Sequence, residues 1–343
     1  MRPLVLPPRL AAAVSLLGPA VAVLVGGFVL VLAISDDPLL AYKDLLFANF
    51  YSVANFALFV NRTTPLLFIG LSVILSFRAG VFNVGGEGQL YLGAIAATAA
   101  GLACARAPQP LGLIAAAAAG AVVGAIYGFI PGQLKVKLGV NEVVSTLMLN
   151  FVAMLLTQYL VTHPLRDPTA YGAVSFMLAP SVWLPEIPCL PGATDGALIA
   201  LALAPLVWLA LYRTTWGADL RAAGANPRFA EAVGIDADRR VLEAMALSGA
   251  VAGLAGALYV LGIGHRFEQN FSPGFGLIGL TVALLARLNP FGAILTAAFY
   301  ALVLNGAAYM QIDTDVPRSL VGLLTGFLVL FMTARGRAAA APA

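Results

Sequence analysis

The sequence predicts an all-α polytopic membrane protein of about ten transmembrane helices, arranged as two inverted repeats with broken helices. Of its 343 residues, 61% are hydrophobic and only 10% are charged, whereas a soluble domain carries roughly a quarter charged residues. Apolar runs long enough to cross a hydrocarbon core of about 30 Å recur from one end to the other. A β-barrel would need alternating segments of about ten residues, and the run 111–130 does not alternate. Helices therefore carry the fold, because an unpaired backbone group in lipid costs several kcal/mol.

Taken in order, the candidate spans are 14–34, 63–77, 87–105, 111–133, 141–161, 197–212, 240–263, 277–288, 290–309 and 317–334. Arg2 and Arg9 precede the first, as in a signal peptide. That stretch is too long for a signal's apolar region and lacks a small-residue cleavage site before Asp36 and Asp37, so it reads as a span. Residues 45–60 are apolar too, and lie between those aspartates and Arg62. They read as a separate outer-surface or re-entrant helix.

Basic residues set the orientation. With the N-terminus inside, Arg2, Arg9, Arg78, Lys135, Lys137, Arg213, Arg221, Arg228, Arg239, Arg240, Arg287, Arg335 and Arg337 fall inside. Lys43, Arg62, Arg106, Arg166, Arg266 and Arg318 fall outside. The acidic residues are mostly outside, and both termini are expected in the cytoplasm. Within one transmembrane domain, 1–343, blocks at about 63–161 and 240–334 share a rhythm of helix, Gly-containing break, helix, Gly-rich helix and helix with a polar entry. One span between them starts the second block from the opposite side. Such inverted repeats place a solute path at their interface, near broken helices.

Two interruptions supply candidate path residues. In Phe82-Asn83-Val84-Gly85-Gly86-Glu87-Gly88-Gln89, glycines and a carboxylate separate two apolar stretches. Backbone this loose is tolerated at membrane depth only where protein or a water-filled cavity covers it; the alternative is a tight cytoplasmic turn with Glu87 as partner of a helix dipole. The second interruption, Gly139 to Thr146, brings Asn141 and Glu142, with Asn150 deeper in the same helix. An intramembrane polar group marks a path or bonds one helix to another. Asn83, Glu87, Gln89, Asn141, Glu142 and Asn150 are the path candidates.

The long polar stretch of about 214–239 has a different character. Asn226 can cap a short helix with Pro227 at its first position and Glu231 beyond, and Gly234 can end it. A short amphipathic helix flanked by glycines, on the inner face, suits a groove on a motor protein; a solvated linker is the plain alternative. Its coupling candidates are Arg221, Gly224, Asn226, Pro227, Ala230, Glu231 and Gly234.

No nucleotide cradle is expected in the chain, because Lys43, Lys135 and Lys137 lie outside any Gly-rich Lys-Ser/Thr motif. The chain is therefore expected not to be an enzyme and to hold no cofactor or metal. Cys104 and Cys189, with His163 and His265, are too few and too scattered for a metal site. A disulfide between the two cysteines on the outer side stays open.

Leu220 to Gly234 resembles the inner loop of permeases in the ribose, branched-chain amino acid and nucleoside importer superfamily. Phe82 to Gln89, Gly139 to Asn150 and Met245 to Ala257 resemble its nucleoside and simple-sugar branch, and the likeness covers roughly residues 60–330. The resemblance implies the permease of a bacterial inner-membrane ABC importer of the larger, type II kind. It also implies its partners: ATP-binding cassette subunits that bind ATP and Mg, a second permease chain, often a paralogue, and an external solute-binding protein. Membrane lipid surrounds the assembly, and no nucleic acid takes part. A nucleoside is the expected solute, with a simple sugar, a riboflavin-like vitamin or ion-coupled transport through Glu87, Glu142 and Glu243 as alternatives. One departure stands out. Many nucleoside permeases read Gly-Phe-Asp-Gly-Ile-Ala where this chain reads Gly274-Phe275-Gly276-Leu277-Ile278-Gly279.

Overall fold

The computed structural model describes residues 25–29, 31–32, 35–314, 316, 322 and 326. Most of the candidate spans 14–34 and 317–334 lie outside the described residues. Among those described, the named elements are helical and extended pairing is limited to three isolated bridges. The helices are α1 (Pro38–Phe47), α2 (Val53–Arg78), α3 (Gly86–Ala103), α4 (Leu111–Leu138), α5 (Glu142–Thr162), α6 (Gly196–Arg213), α7 (Thr215–Ala225), α8 (Pro227–Ala232), α9 (Ala237–Tyr259), α10 (Phe275–Leu285) and α11 (Pro290–Asp313). A π-turn, Val260–Gly264, prolongs α9. Among the described residues six helices are long and apolar enough to cross a membrane: α2, α4, α5, α6, prolonged α9 and α11.

Two expectations are corrected. Residues 45–60 do not form a separate surface helix, since α1 ends at Phe47 and α2 begins at Val53. Ser52 accepts the Asn55 N–H at 3.0 Å and so starts α2; Arg62 then sits within a continuous helix, because a charge breaks an apolar pattern without breaking backbone hydrogen bonds. The 277–288 candidate is also not a full span. Its helix, α10, has 11 residues and reaches about 16 Å at 1.5 Å per residue. The other boundaries fall within a few residues of expectation. Apart from the start of α2 at Val53 instead of 63, the largest shift is the extension of α4 to Leu138, where Lys135 and Lys137 face the carbonyl end.

The chain forms two compact units: 1–59 with 299–343, and 60–298. In the first, Asp37 caps α1 by accepting the Leu40 N–H at 3.2 Å. Asn49 donates to the Leu302 carbonyl at 3.1 Å, and Tyr51 to the Asp44 carboxylate at 2.9 Å. Phe50, Phe56 and Phe59 cluster with ring centroids 5.7 to 6.1 Å apart.

The second unit is built around α3, α4 and α9. The buried face of α4 carries Gly112, Ala116, Gly120, Gly124, Gly128 and Gly132, four residues apart and therefore on one stripe. It lies against Gly249 and Gly253 of α9 so closely that a Cβ on Gly253 would overlap the Gly120 carbonyl and meet the Gly124 Cα at 2.8 Å. Such close backbone approach is how helices associate where lipid offers no hydrophobic gain.

The two ends of this unit differ. At one, the segment 163–195 folds onto the end of α9: Ser175 N–H donates to the Phe267 carbonyl, Leu178 N–H to that of His265 and Leu184 N–H to that of Leu261, all at 2.8 to 2.9 Å. The Trp183 ring stacks on His265 at 4.0 Å. The other, here the lever end, carries α7 and α8.

Candidate translocation and coupling site

Two helices of the second unit begin inside the bundle. After Arg78 the chain turns at Gly80, which has a φ of +74°, and runs without helix to Gly85 before α3 starts. After the π-turn it runs from His265 to Gly274 before α10 starts. Gly86 packs on Ile69 and Gly279 packs on Ile69 and Gly70, about two and a half turns from the lever end of α2. The N-termini of α3 and α10 meet there. From this point α3 runs toward the 163–195 segment, with Gly101 against Leu178 and Val182, while α10 runs to the lever end.

Glu87 sits at the meeting point, half-buried. Its Oε2 accepts a short hydrogen bond from the Gly276 N–H, and the carboxylate offsets the positive ends of two helix dipoles. Gly276 stands where the nucleoside-permease pattern given above has Asp. A Cβ there would lie 2.5 Å from the Glu87 nitrogen and 2.7 Å from its Cβ, so this packing accepts only glycine. Beside the carboxylate, Ser272 Oγ accepts the Gly274 and Phe275 N–H groups at 3.2 and 3.0 Å. Next to it Tyr91 and Tyr259 each hold Phe271 at 4.8 Å, and Phe267 and Phe275 complete an aromatic cluster.

Of the other path candidates, Asn83, Gln89 and Asn150 gather around the first break. Asn83 is buried; its Nδ2 donates to Ser248 Oγ at 2.8 Å and its Oδ1 accepts the Gly85 N–H at 2.9 Å. Gln89 exchanges amide contacts with Asn83 at 3.2 and 3.3 Å, and Ser72 reaches Ser248 at 2.9 Å. Asn150 bridges the break, accepting the Gly88 N–H at 2.8 Å and donating to the Val84 carbonyl at 3.0 Å. These amides satisfy backbone groups that a broken helix leaves unpaired. Asn141 and Glu142 stand apart at the lever end. Asn141 caps α5 through the N–H groups of Val143 and Val144, and Glu142 pairs with Lys135 at 2.7 Å while receiving the Phe82 N–H at 3.4 Å.

The coupling candidates lie on α7 and α8. Asn226 Oδ1 accepts the Phe229 N–H at 3.1 Å, with Pro227 as first residue of α8. Gly234, at φ +85°, closes the turn after it. Ala230 is buried with Ala223 and Ala237, and Ile235 packs on them. Glu231 is exposed. Arg221 lies over the Tyr212 ring at 4.8 Å. Gly224 presses on the turn after α2, where its Cβ would meet Gly80 N at 2.7 Å.

Residues absent from the expected set complete this end. Phe229 and Val233 are 59% and 57% exposed, four residues apart on one face. That spacing in a polar loop was the legible signal. At the base, Trp216 Nε1 donates to Glu243 at 2.8 Å, and Arg240 joins Glu243 at 2.7 Å and Asp219 at 2.9 Å. These ties hold α7 to the start of α9, a partnership of residues more than twenty apart that no local pattern announces.

The family model described as branched-chain amino acid transport system / permease component matches residues 55–333. The guanosine ABC transporter permease protein NupP of Bacillus subtilis is 35% identical over 280 residues, 80% of this chain and 79% of that protein. The glucose ABC transporter permease protein TsgB13 of Haloferax volcanii is 32% identical over 324 residues, 91% and 84% of the two chains. The nucleoside ABC transporter permease protein NupB of Lactococcus lactis subsp. cremoris is 28% identical over 329 residues, 92% and 90%. No solved structure matches this chain. The match takes in both broken helices and the braced lever end, and the chain belongs to the family of branched-chain amino acid transport system permease components.

Proposed function

We propose that this chain is the membrane-spanning permease subunit of an ATP-binding cassette importer that takes up a nucleoside. The observation that carries it is the lever end: a capped helix, α8, held on a small alanine core, turns two exposed apolar side chains, Phe229 and Val233, away from the bundle. An apolar pair on a rigid support is suited to a groove in a partner. In this reading the partner is an ATPase that binds ATP and Mg, and the chain itself catalyses nothing.

The assembly so read comprises two ATPase subunits, a second permease chain that is a paralogue, and an external solute-binding protein that meets the 163–195 end. The permease crosses a bacterial inner membrane about ten times, with both termini in the cytoplasm and repeats at about 63–161 and 240–334. The two half-helices meeting at Glu87 and Gly276 support the repeat reading, since each follows a break and they diverge toward opposite ends. ATP-driven closure of the motors moves α7 and α8, and the repeats rock to open the path.

Nucleoside uptake is favoured by the guanosine and nucleoside permeases among the relatives. Glucose uptake is the second reading, from the Haloferax relative. Ion coupling through Glu87, Glu142 and Glu243 is less favoured, because each carboxylate already has a donor: Gly276, Lys135, and Arg239 with Arg240. The test is purification of the complex with its ATPase, followed by uptake of labelled guanosine and glucose with ATP depleted or the ion gradient collapsed. Guanosine uptake that needs ATP and survives gradient collapse is expected; the reverse would overturn the reading.

A further inference from the structure

We infer that Arg78 is a positioning residue that carries movement of the α7–α8 lever to both half-helices at once, an inference that rests on the ATP-driven reading above. Arg78 is the last residue of α2, and three other elements converge on it. Its Nε and Nη2 donate to the Leu288 carbonyl at 3.3 and 2.9 Å, just beyond the end of α10. Its guanidinium lies 5.6 Å from the centre of the Tyr212 ring on α6, the same ring that Arg221 of α7 covers at 4.8 Å. Gly224, also on α7, touches the carbonyl of Arg78 itself and the backbone of Ala79 and Gly80.

From this joint the chain leads to the mid-bundle contact by two routes. One passes from Gly80 through Val81 to Gly85 into the N-terminus of α3. The other passes from Leu288 back along α10. They end on the two sides of one hydrogen bond, Glu87 to Gly276. A displacement of α7 therefore pushes both half-helices from one point.

The backbone at the joint is held in an uncommon conformation. Gly80 has φ +74°, and Arg287 and Leu288 have φ +54° and +56°, a region that non-glycine residues enter only when their surroundings hold them. The Arg78 fork supplies that hold for Leu288 through a planar two-donor grip that lysine lacks.

The test uses the purified complex of permease pair, ATPase and solute-binding protein in nanodiscs, in a Cys104→Ser/Cys189→Ser background. One reporter cysteine is placed on the lever by Ala232→Cys and another on α10 by Leu277→Cys. In the parent, nucleotide trapping should change thiol-labelling rates at both. In Arg78→Gln the rate at 232 should still change while that at 277 no longer does, and solute uptake per ATP hydrolysed should fall about tenfold, with Arg78→Lys intermediate. Tyr212→Leu should reproduce the loss and Tyr212→Phe, which keeps the ring, should not; this pair also serves if Arg78→Gln fails to assemble. A normal response at 277 in Arg78→Gln or Tyr212→Leu, or unchanged uptake per ATP, overturns the inference alone. No nucleotide-dependent change at 232 in the parent overturns the ATP-driven reading, and the inference with it.

Discussion

The Glu87 carboxylate accepts the Gly276 N–H across 189 residues of sequence, joining the beginnings of α3 and α10 inside the bundle. Glu87→Ala would leave that buried donor without its acceptor, at about 1–3 kcal/mol, and would remove the charge that faces two helix N-termini. Uptake should fall at least about tenfold and the melting temperature of the detergent-solubilised complex should drop, whereas Glu87→Gln, which keeps an acceptor oxygen, should retain most of the stability. Gly276→Asp restores the common nucleoside-permease residue yet should be worse than either, because its Cβ and second carboxylate fall on Glu87. Wild-type uptake in Gly276→Asp would show that the two helix starts are not packed this way.

The α4–α9 contact sets a steric limit. Gly253→Leu should destabilise the protein by about 3 kcal/mol or more, at or above the usual range for overpacking, and should reduce the yield of folded permease. Gly264→Ala is the control, since nothing lies within 4 Å of a Cβ there. Size-exclusion profiles and melting temperatures of the two variants measure the difference.

On α8, Phe229→Asp and Val233→Asp should leave membrane insertion and melting temperature unchanged, because both side chains are exposed, but should abolish ATPase co-purification. Ala230→Asp should instead destroy the lever itself, since a carboxylate would enter the alanine core. Pull-down of the ATPase with each variant, alongside protease sensitivity of the 214–239 segment, separates the two effects.

The 163–195 segment should loosen in acid. Burial beside Trp183 pushes the His265 imidazole below its usual pKa, so the folded segment favours the neutral ring. Its stability contribution is present above the ordinary value of about 6.5 and is lost as the pH falls below it, because the unfolded segment binds the proton more readily. Hydrogen-exchange protection across 163–195, taken relative to the intrinsic rate at each pH, should fall between pH 7.5 and pH 5, and His265→Gln should remove that fall.

Much of the site was legible at the level of local chemistry. The Asn226 cap, the Pro227 start and the Gly234 stop are short-range rules, and the structure has each. The Asn83 to Gln89 break was visible because three glycines interrupt an apolar pattern. Which of its polar groups face a path was not visible: Asn83, Gln89 and Asn150 are occupied with backbone and side-chain partners, and the meeting of Asn83 with α9 and of Asn150 on α5 with the break depends on how helices cross. Residues 45–60 misled for the same reason, since apolarity and charge do not say whether a helix continues through Arg62.

The sequence by itself determined that the chain is helical, mostly apolar and interrupted, and where most helices begin and end, because hydrogen bonding within a helix and burial in lipid depend on residues a few positions apart. Only the tertiary structure decided that two helix starts meet at Glu87, that Gly224 rests on the turn at Gly80, and that Phe229 and Val233 stay uncovered. Those outcomes come from packing between elements over a hundred residues apart or from its absence, and small residues permit such close approach without specifying which backbone will fill it.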